Sequence, residues 1–460
     1  MSSIYEQRPW LNLQPKRIPS DLEIPTMTAI DMFENTVSSK PQAAAIHYFD
    51  GTITYGELNS LADSLAAALS DLGLRKGDRI AIDLQNVPQF LISQYAAWKL
   101  GAIVVPLNPM SKGTELEYLL SDSGAKIIVA LESTTYHLVK EVVAKTVEKV
   151  ITTSEIDFLP PGQPLPELLK GFQKRKPPET LDFLELIDKY RQRAAPRAEV
   201  NPSDVAHLIY TSGTTGPSKG AMNTHGNIAF NARVYEVCCD LDASDSVLGV
   251  APLCHVTGTV AHLAIASLIG VPVIINYRFD PAEVLRLIEK WKVTFTLASV
   301  TVFIALLDYP DIRRRDLSSF NKVFSAGAPV PAGFVEKFEQ SVGIYIHNLY
   351  GLTETTSPSH MNPLGVRAPI DPESGALSIG FPVPNTYAKI MDIETGTSEM
   401  PPGEMGELVI KGPGVVPGYW GKPEETAHAI RDGWLYTGDI VKMDKNGWFY
   451  VVDRKKDLII

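Results

Sequence analysis

The segment of this sequence best equipped for chemistry is Tyr210-Thr-Ser-Gly-Thr-Thr-Gly-Pro-Ser-Lys-Gly220, directly after the apolar run Val205–Ile209. Gly213, Gly216 and Gly220 allow tight backbone turns whose N–H groups can converge on an anion. Thr211, Ser212, Thr214, Thr215 and Ser218 add hydroxyl donors, and Lys219 adds a positive charge. On a loop behind a strand, these are parts for cradling phosphates. The loop is not a Walker A sequence, because no Gly-Lys is followed by Ser or Thr, and it lacks the G-x-G-x-x-G spacing of a dinucleotide fold. Composition alone would also describe a flexible linker, but linkers rarely combine this hydroxyl density with a lone lysine.

Other reactive side chains suggest no competing chemistry. Cys254-His255 taken with Cys238-Cys239 fits no common zinc spacing. Three cysteines, two of them adjacent, argue against a disulfide scaffold and suit a reducing cytoplasm.

An α/β framework must hold the loop. Ala43–Phe49 and Thr52–Tyr55 flank Asp50-Gly51, a dipeptide suited to the positive φ of a tight hairpin. Thr54 opens a helix with Glu57 completing a capping box. Leu58, Leu61, Leu65, Leu69 and Leu72 then share one face up to a stop at Gly73. Strand patterns at Arg79–Asp83, Ile103–Leu107 and Lys126–Ala130 alternate with helical ones at Pro88–Leu100 and Glu115–Ser121. Near-continuous apolar strands of this kind imply a parallel sheet covered on both faces. Residues 151–200 are Pro- and charge-rich and read as surface connection plus one amphipathic helix. After Asn201 the alternation resumes: Asp280-Pro281 caps a helix to Trp291, and strands at Val293–Leu297, Asn321–Ser325 and Ile344–Asn348 surround a helix at Ala332–Val342. Beyond Gly380 come short strands at Glu407–Lys411, Trp434–Tyr436, Asp439–Met443 and Trp448–Val452, with a turn at Asn446-Gly447. These predict an antiparallel, barrel-like subdomain.

The chain has 460 residues, 45% hydrophobic and 21% charged, which excludes wholesale disorder and exceeds one simple core. Its 42 Lys+Arg against 53 Asp+Glu give −11, a balance that repels nucleic acid but leaves room for a local basic pocket. The N-terminus carries no apolar signal core. The most apolar stretch, Val260–Tyr277, is interrupted by His262, Gly270 and Pro272, which predicts a buried helix turning at Gly270 into a buried strand rather than a membrane span. A soluble, cytoplasmic protein is expected, with no nucleic-acid partner and no transmembrane segment; peripheral membrane contact and a homodimer stay open.

The loop resembles the YTSGTTGxPKG segment of the adenylate-forming superfamily, which holds acyl- and aryl-CoA synthetases, luciferase and the adenylation domains of peptide synthetases. Pro217-Ser218-Lys219 departs from the usual order before the lysine, which keeps its place. Tyr350-Gly-Leu-Thr-Glu354 resembles YGxTE, Gly406–Gly412 and Gly418-Tyr-Trp420 resemble the GEL and GYW stretch, Tyr436-Thr-Gly-Asp439 resembles YxTGD, and Asp453-Arg454-Lys455-Lys456 resembles the DRxK hinge. All stand in family order, and the likeness runs from about residue 27. The resemblance implies one large N-terminal AMP-binding domain over residues 1–455, with subdomains at about 27–200, 201–379 and 380–455. It places the hinge at Lys456, with 456–460 starting a small C-terminal lid domain that is otherwise missing.

It also implies roles. Thr211, Ser212, Gly213, Thr214, Thr215, Gly216 and Lys219 would bind the ATP phosphates, with Thr353 on the α-phosphate and Glu354 holding Mg²⁺, which suits one carboxylate plus phosphate and water. Tyr350 would stack on adenine against Gly327-Ala328-Pro329, with Asn348 and Gly351 nearby, and Asp439 and Arg454 would take the ribose. His255, Val256, Thr257, Val300, Ser325 and Gly327 would line the acyl pocket, His255 gating it.

The implied reaction is ATP-dependent formation of an acyl-adenylate, followed by thioester formation with coenzyme A. No acidic residue follows His255 until Asp280, so an amino acid substrate would lack its counter-charge. Small and aliphatic pocket candidates favour a medium- or long-chain fatty acid. An aryl acid such as a coumarate or benzoate, a carrier-protein thiol as acceptor, and a non-catalytic nucleotide-binding module are the alternatives. Because the sequence stops at Asp457-Leu-Ile-Ile460, binding of ATP and acyl-adenylate with impaired catalysis is expected of this chain alone.

Overall fold

The computed structural model describes residues 3–111, 113–133, 136–142, 147–191, 193–211 and 216–454, the side chains of residues 137, 138 and 454 excepted. Three sheets organise it. A seven-stranded sheet runs in the order 181–182, 149–153, 127–131, 79–83, 103–106, 205–211, 219–224, parallel except for its last pair. A nine-stranded sheet runs 381–382, 360–361, 346–350, 322–325, 295–298, 247–248, 273–275, 44–48, 51–54, with a parallel centre and antiparallel ends. The third sheet is antiparallel throughout: 387–391, 405–411, 434–443 and 430–431, with 449–454 also on 434–443.

The expected layered α/β architecture with an antiparallel C-terminal unit is therefore present. Strands Ile103–Pro106 and Ile127–Leu131 are buried along their whole length, as their unbroken apolar sequences require. Helix Pro88–Lys99 is buried at every position. The capping box of Thr54 and Glu57 forms, and the helix it opens ends at Leu72 before Gly73 at φ +97°. Asp280 caps helix Pro281–Trp291 through the backbone of Glu283. The apolar stretch around residue 260 is helical from Thr257 to Ile269, stops at left-handed Gly270, and returns as strand Val273–Ile275. Among the described residues no helix is long and apolar enough to cross a membrane.

Three readings need correction. The division at residue 200 does not separate the sheets: hairpin 44–54 completes the nine-stranded sheet, and hairpin 205–224 completes the seven-stranded one. The N-terminal segment is part of the fold, with Tyr5 and Trp10 buried in the core of the third sheet beside Ile379 and Phe449. At Asp50-Gly51 the positive φ falls on Phe49 instead, with Gly51 already in the strand; Gly51 is crowded, since a Cβ there would meet Pro160 and the Tyr48 carbonyl at 3.3 Å. Finally, Trp434–Met443 is one continuous strand, bent where its register against 405–411 shifts between Glu407 and Val409.

Candidate active site

Strand Val205–Thr211 turns back into Lys219–Thr224 with Thr211 opposite Lys219, so the glycine-rich loop is the tip of an antiparallel hairpin at a sheet edge. Thr211, Gly216 and Lys219 are described; Ser212, Gly213, Thr214 and Thr215 lie outside the described residues. The base of the hairpin is braced. Tyr118 Oη donates to the Ser218 carbonyl at 2.8 Å, and Tyr210 Oη donates to Asp122 Oδ2 at 2.8 Å. Gly220 lies against the Tyr210 ring, where a Cβ would come within 3.2 Å.

A strap from Val416 to Trp420 crosses this hairpin. Trp420 N donates to the Gly220 carbonyl at 2.9 Å, Met222 N to the Gly418 carbonyl at 3.0 Å, and Val416 N to the Glu354 carbonyl at 2.9 Å. It brings Lys219 and Glu354 to one tyrosine: Lys219 Nζ lies 4.7 Å from the Tyr419 ring centroid, and Tyr419 Oη donates to Glu354 Oε1 at 2.7 Å. Burial, then the neighbouring Glu354 charge, raises the Tyr419 phenol well above its ordinary range, so it remains a donor at neutral pH.

Thr353 and Glu354 sit on the single helical turn Thr353–Thr355, and Thr356 and Ser357 follow at φ +53° and +39°. Left-handed backbone in residues other than glycine is costly and persists only where neighbours impose it. Asparagines impose it here. Asn223 Nδ2 donates to the Thr353 carbonyl and to Thr356 Oγ1, and Asn231 Nδ2 donates to the carbonyls of Thr355 and Thr356, all at 2.9 Å. Asn227 Nδ2 donates to the Pro413 carbonyl at 2.7 Å, anchoring the chain that leads into the strap. Sequence reasoning missed all three; the four-residue spacing of Asn227 and Asn231 on helix His225–Cys238 was the available signal, while Asn223 lies on the preceding strand. Gly351 belongs to the same turn, where a Cβ would lie 3.1 Å from the Cα of Pro358.

Tyr350 ends strand 346–350, and its Oη donates to Asp439 Oδ2 at 2.6 Å. Burial and then Asp439 raise this phenol far above its usual range. Gly327 has φ +84° with open space where a Cβ would stand, and Ala328 and Pro329 beside it are exposed. Asp439 is buried and pairs across the strands with Arg454, whose side chain is not described; Lys456 lies outside the described residues. Asn348 does not join this group. It is buried with Nδ2 donating to the Ser378 carbonyl at 3.0 Å, so its amide braces the sheet.

Exposed His255 precedes an eight-residue π-helical stretch, Thr257–Ala264. The surrounding protein lowers the basicity of its imidazole by desolvation. Gly258 is required by close approach, since a Cβ would fall 2.3 Å from the Pro252 carbonyl oxygen. Val256, Val300 and Ser325 are buried, and Thr257 is half-buried. A cavity of about 240 Å³ is lined by Asn108, Met110, Pro252, Cys254 and Arg278 among others. Asp83, a carboxylate interacting with Cys254, is buried and pushed up to about 8 by desolvation, so it is mostly neutral at pH 7. A larger groove of about 570 Å³ around Arg313, Ser318, Ser341 and Tyr345 lies at the opposite, amino ends of strands 322–325 and 346–350. Open α/β sheets bind ligands at the carboxyl ends, where Asp83, Ser325, Gly327 and Tyr350 stand.

Among the described residues no group of three His, Cys, Asp or Glu gathers to hold a metal. The site therefore builds no protein cage. Magnesium, which takes one or two carboxylates and completes its shell with phosphate and water, fits the single carboxylate of Glu354.

The protein-family model described as AMP-binding enzyme matches residues 33–420. The chain is 37% identical over 468 residues to a long-chain-fatty-acid–CoA ligase of Bacillus subtilis (strain 168), covering 99% of this chain and 81% of that protein. It is 35% identical over 421 residues to a feruloyl-CoA synthase of Amycolatopsis sp, covering 91% of this chain and 77% of that one. Among solved structures, the anthranilate CoA ligase AuaEII in complex with anthranoyl-AMP superposes with a TM-score of 0.83 at 24% identity, over 96% of this chain and 80% of that one.

Proposed function

The chain belongs to the AMP-binding enzyme family as an AMP-forming acid–CoA ligase that uses ATP and coenzyme A, and from this premise we propose that its acid is a medium- or long-chain fatty acid. The observation carrying this reading is the charge of the acyl side. No acidic residue lies between His255 and Asp280, Val256 and Val300 are apolar and buried, and the nearby Asp83 is held mostly protonated. A positively charged substituent there would be desolvated without a counter-charge, whereas an alkyl chain loses nothing.

In the first half-reaction the substrate carboxylate attacks the α-phosphorus of ATP, forming the acyl–phosphate bond and releasing pyrophosphate. In the second, the coenzyme A thiol attacks the acyl carbon and AMP leaves. The protein positions the reactants and offsets charge. Lys219 and the hydroxyls and amides of the hairpin loop hold the phosphates, and Thr353 contacts the α-phosphate. Tyr350 stacks on adenine across from Gly327-Ala328-Pro329, and Asp439 with Arg454 receives the ribose. His255 stands at the lip of the acyl channel. When bound at Glu354, Mg²⁺ supplies charge neutralisation to the phosphate oxygens.

The test is AMP release against a chain-length series of fatty acids and a set of aryl acids, with and without coenzyme A. Turnover peaking on fatty acids supports the proposal. A preference for ferulate, coumarate or benzoate would replace it with the aryl reading, which the feruloyl-CoA synthase relative favours.

A further inference from the structure

Tyr419 contacts both charged groups assigned to the phosphates and the cation, yet has no part in the roles above. Its phenol bonds Glu354 Oε1 at 2.7 Å, and its ring lies under Lys219 Nζ at 4.7 Å. The tyrosine is itself held firmly. Its backbone bridges Ala221, its N–H donates to Thr426 Oγ1 at 2.9 Å, and its ring is buried with Ala221 and Val416. Phenylalanine would fill this apolar slot equally well. A hydroxyl aimed at a carboxylate is not something packing requires.

We propose that Tyr419 is a positioning residue for adenylation, fixing the Glu354 carboxylate in the orientation that receives Mg·ATP and seating Lys219 beside the phosphate loop. A glutamate on a partly exposed turn has three rotatable bonds, and ordering it at the moment of binding costs affinity. With Oε1 tethered by a buried donor, the carboxylate keeps its second oxygen for a cation and is ordered in advance. The tether also sets the phosphate-loop hairpin in register with the Glu354 turn, because the strap carrying Tyr419 bonds Gly220, Met222 and the Glu354 carbonyl. This inference rests on the reading of Glu354 as the Mg²⁺ contact.

The experiment is calorimetric binding of a non-hydrolysable ATP analogue, with and without Mg²⁺, to wild type, Tyr419→Phe, Glu354→Gln and the double variant. Tyr419→Phe should weaken Mg²⁺-dependent binding roughly tenfold, the scale of one hydrogen bond to a charged group, and leave Mg²⁺-free binding nearly unchanged. The double variant should bind no more weakly than Glu354→Gln, since both changes remove one interaction. Phenylalanine occupies the same volume, and unchanged melting temperature confirms the fold. Wild-type affinity in Tyr419→Phe, equal loss with and without Mg²⁺, or additive losses in the double variant would each overturn the inference while Glu354→Gln still reports on the Mg²⁺ contact. A wild type indifferent to Mg²⁺ would remove the underlying reading and the inference together.

Discussion

Tyr350 Oη donates to Asp439 Oδ2 across 2.6 Å, which ties the last residue of a strand in the nine-stranded sheet to the middle of a strand in the antiparallel sheet. The hydroxyl orients the carboxylate proposed to receive the ribose, and the ring remains for the base. Tyr350→Phe, which keeps the ring, should therefore reduce ATP affinity by roughly tenfold, the scale of one bond to a charged acceptor. Tyr350→Ala should cost more, because stacking goes as well. Equal affinities for wild type and Tyr350→Phe in an isothermal titration would separate the hydroxyl from nucleotide binding.

Lys219 stands opposite Thr211 at the end of its hairpin strand, and we propose that it meets the charge that accumulates on the leaving pyrophosphate. Replacing it with alanine should slow acid-dependent pyrophosphate release by about a hundredfold, in line with the loss of one preorganised charge-stabilising donor. The melting temperature should hardly change, because its recorded contact is with the Tyr419 ring. A rate within a factor of ~2 of wild type would remove the lysine from the mechanism, such a factor being under 1 kcal/mol of barrier.

Asn231 is the single donor to two carbonyls of the left-handed turn. Asn231→Ala strands both in a buried site and should lower stability by ~1–3 kcal/mol. Denaturant midpoints measure this. Nucleotide binding should weaken in parallel, since the same turn carries Thr353 and Glu354.

Asp83 gives stability a pH dependence with a definite sign. Its folded value is raised from 3.8 to about 8 by burial, so between these limits the native state keeps a proton that the unfolded chain releases. Its contribution is complete below the unfolded value and is lost as pH rises toward about 8. Asp83→Asn should flatten this decline, as thermal melts across that range would record. An unchanged slope would mean that another group governs it.

The helices and strands were legible because their signals are local. The Thr54–Glu57 box, Asp280-Pro281 and the leucine face of the first long helix each need only a few neighbouring residues. The site was legible as a list of residues, since charge, hydroxyl and glycine content mark the loop around Lys219 and the Tyr350–Glu354 turn. What the sequence could not convey were contacts between distant segments. Tyr419 and Glu354 are 65 positions apart, and Asn231 lies 124 and 125 positions from the carbonyls it holds. Asn348 is a further case: it lies two residues before Tyr350 on the same strand face, yet its amide donates to the Ser378 carbonyl, 30 positions away.

The exchange of hairpins between the two parallel sheets bears on how the chain can be divided. A fragment ending near residue 200 would hold 44–54 with no sheet to join, and strand 103–106 would lie bare along one side. The complementary fragment would carry 205–224 in the same predicament and expose the flank of 273–275. Each piece would present unpaired backbone donors and acceptors, the edges on which strands of other molecules assemble. The two α/β regions are thus mutual clients, and neither closes its sheet until the other has supplied a hairpin. Co-expressed halves should recover native structure by reassociating, whereas either half alone should be prone to aggregate.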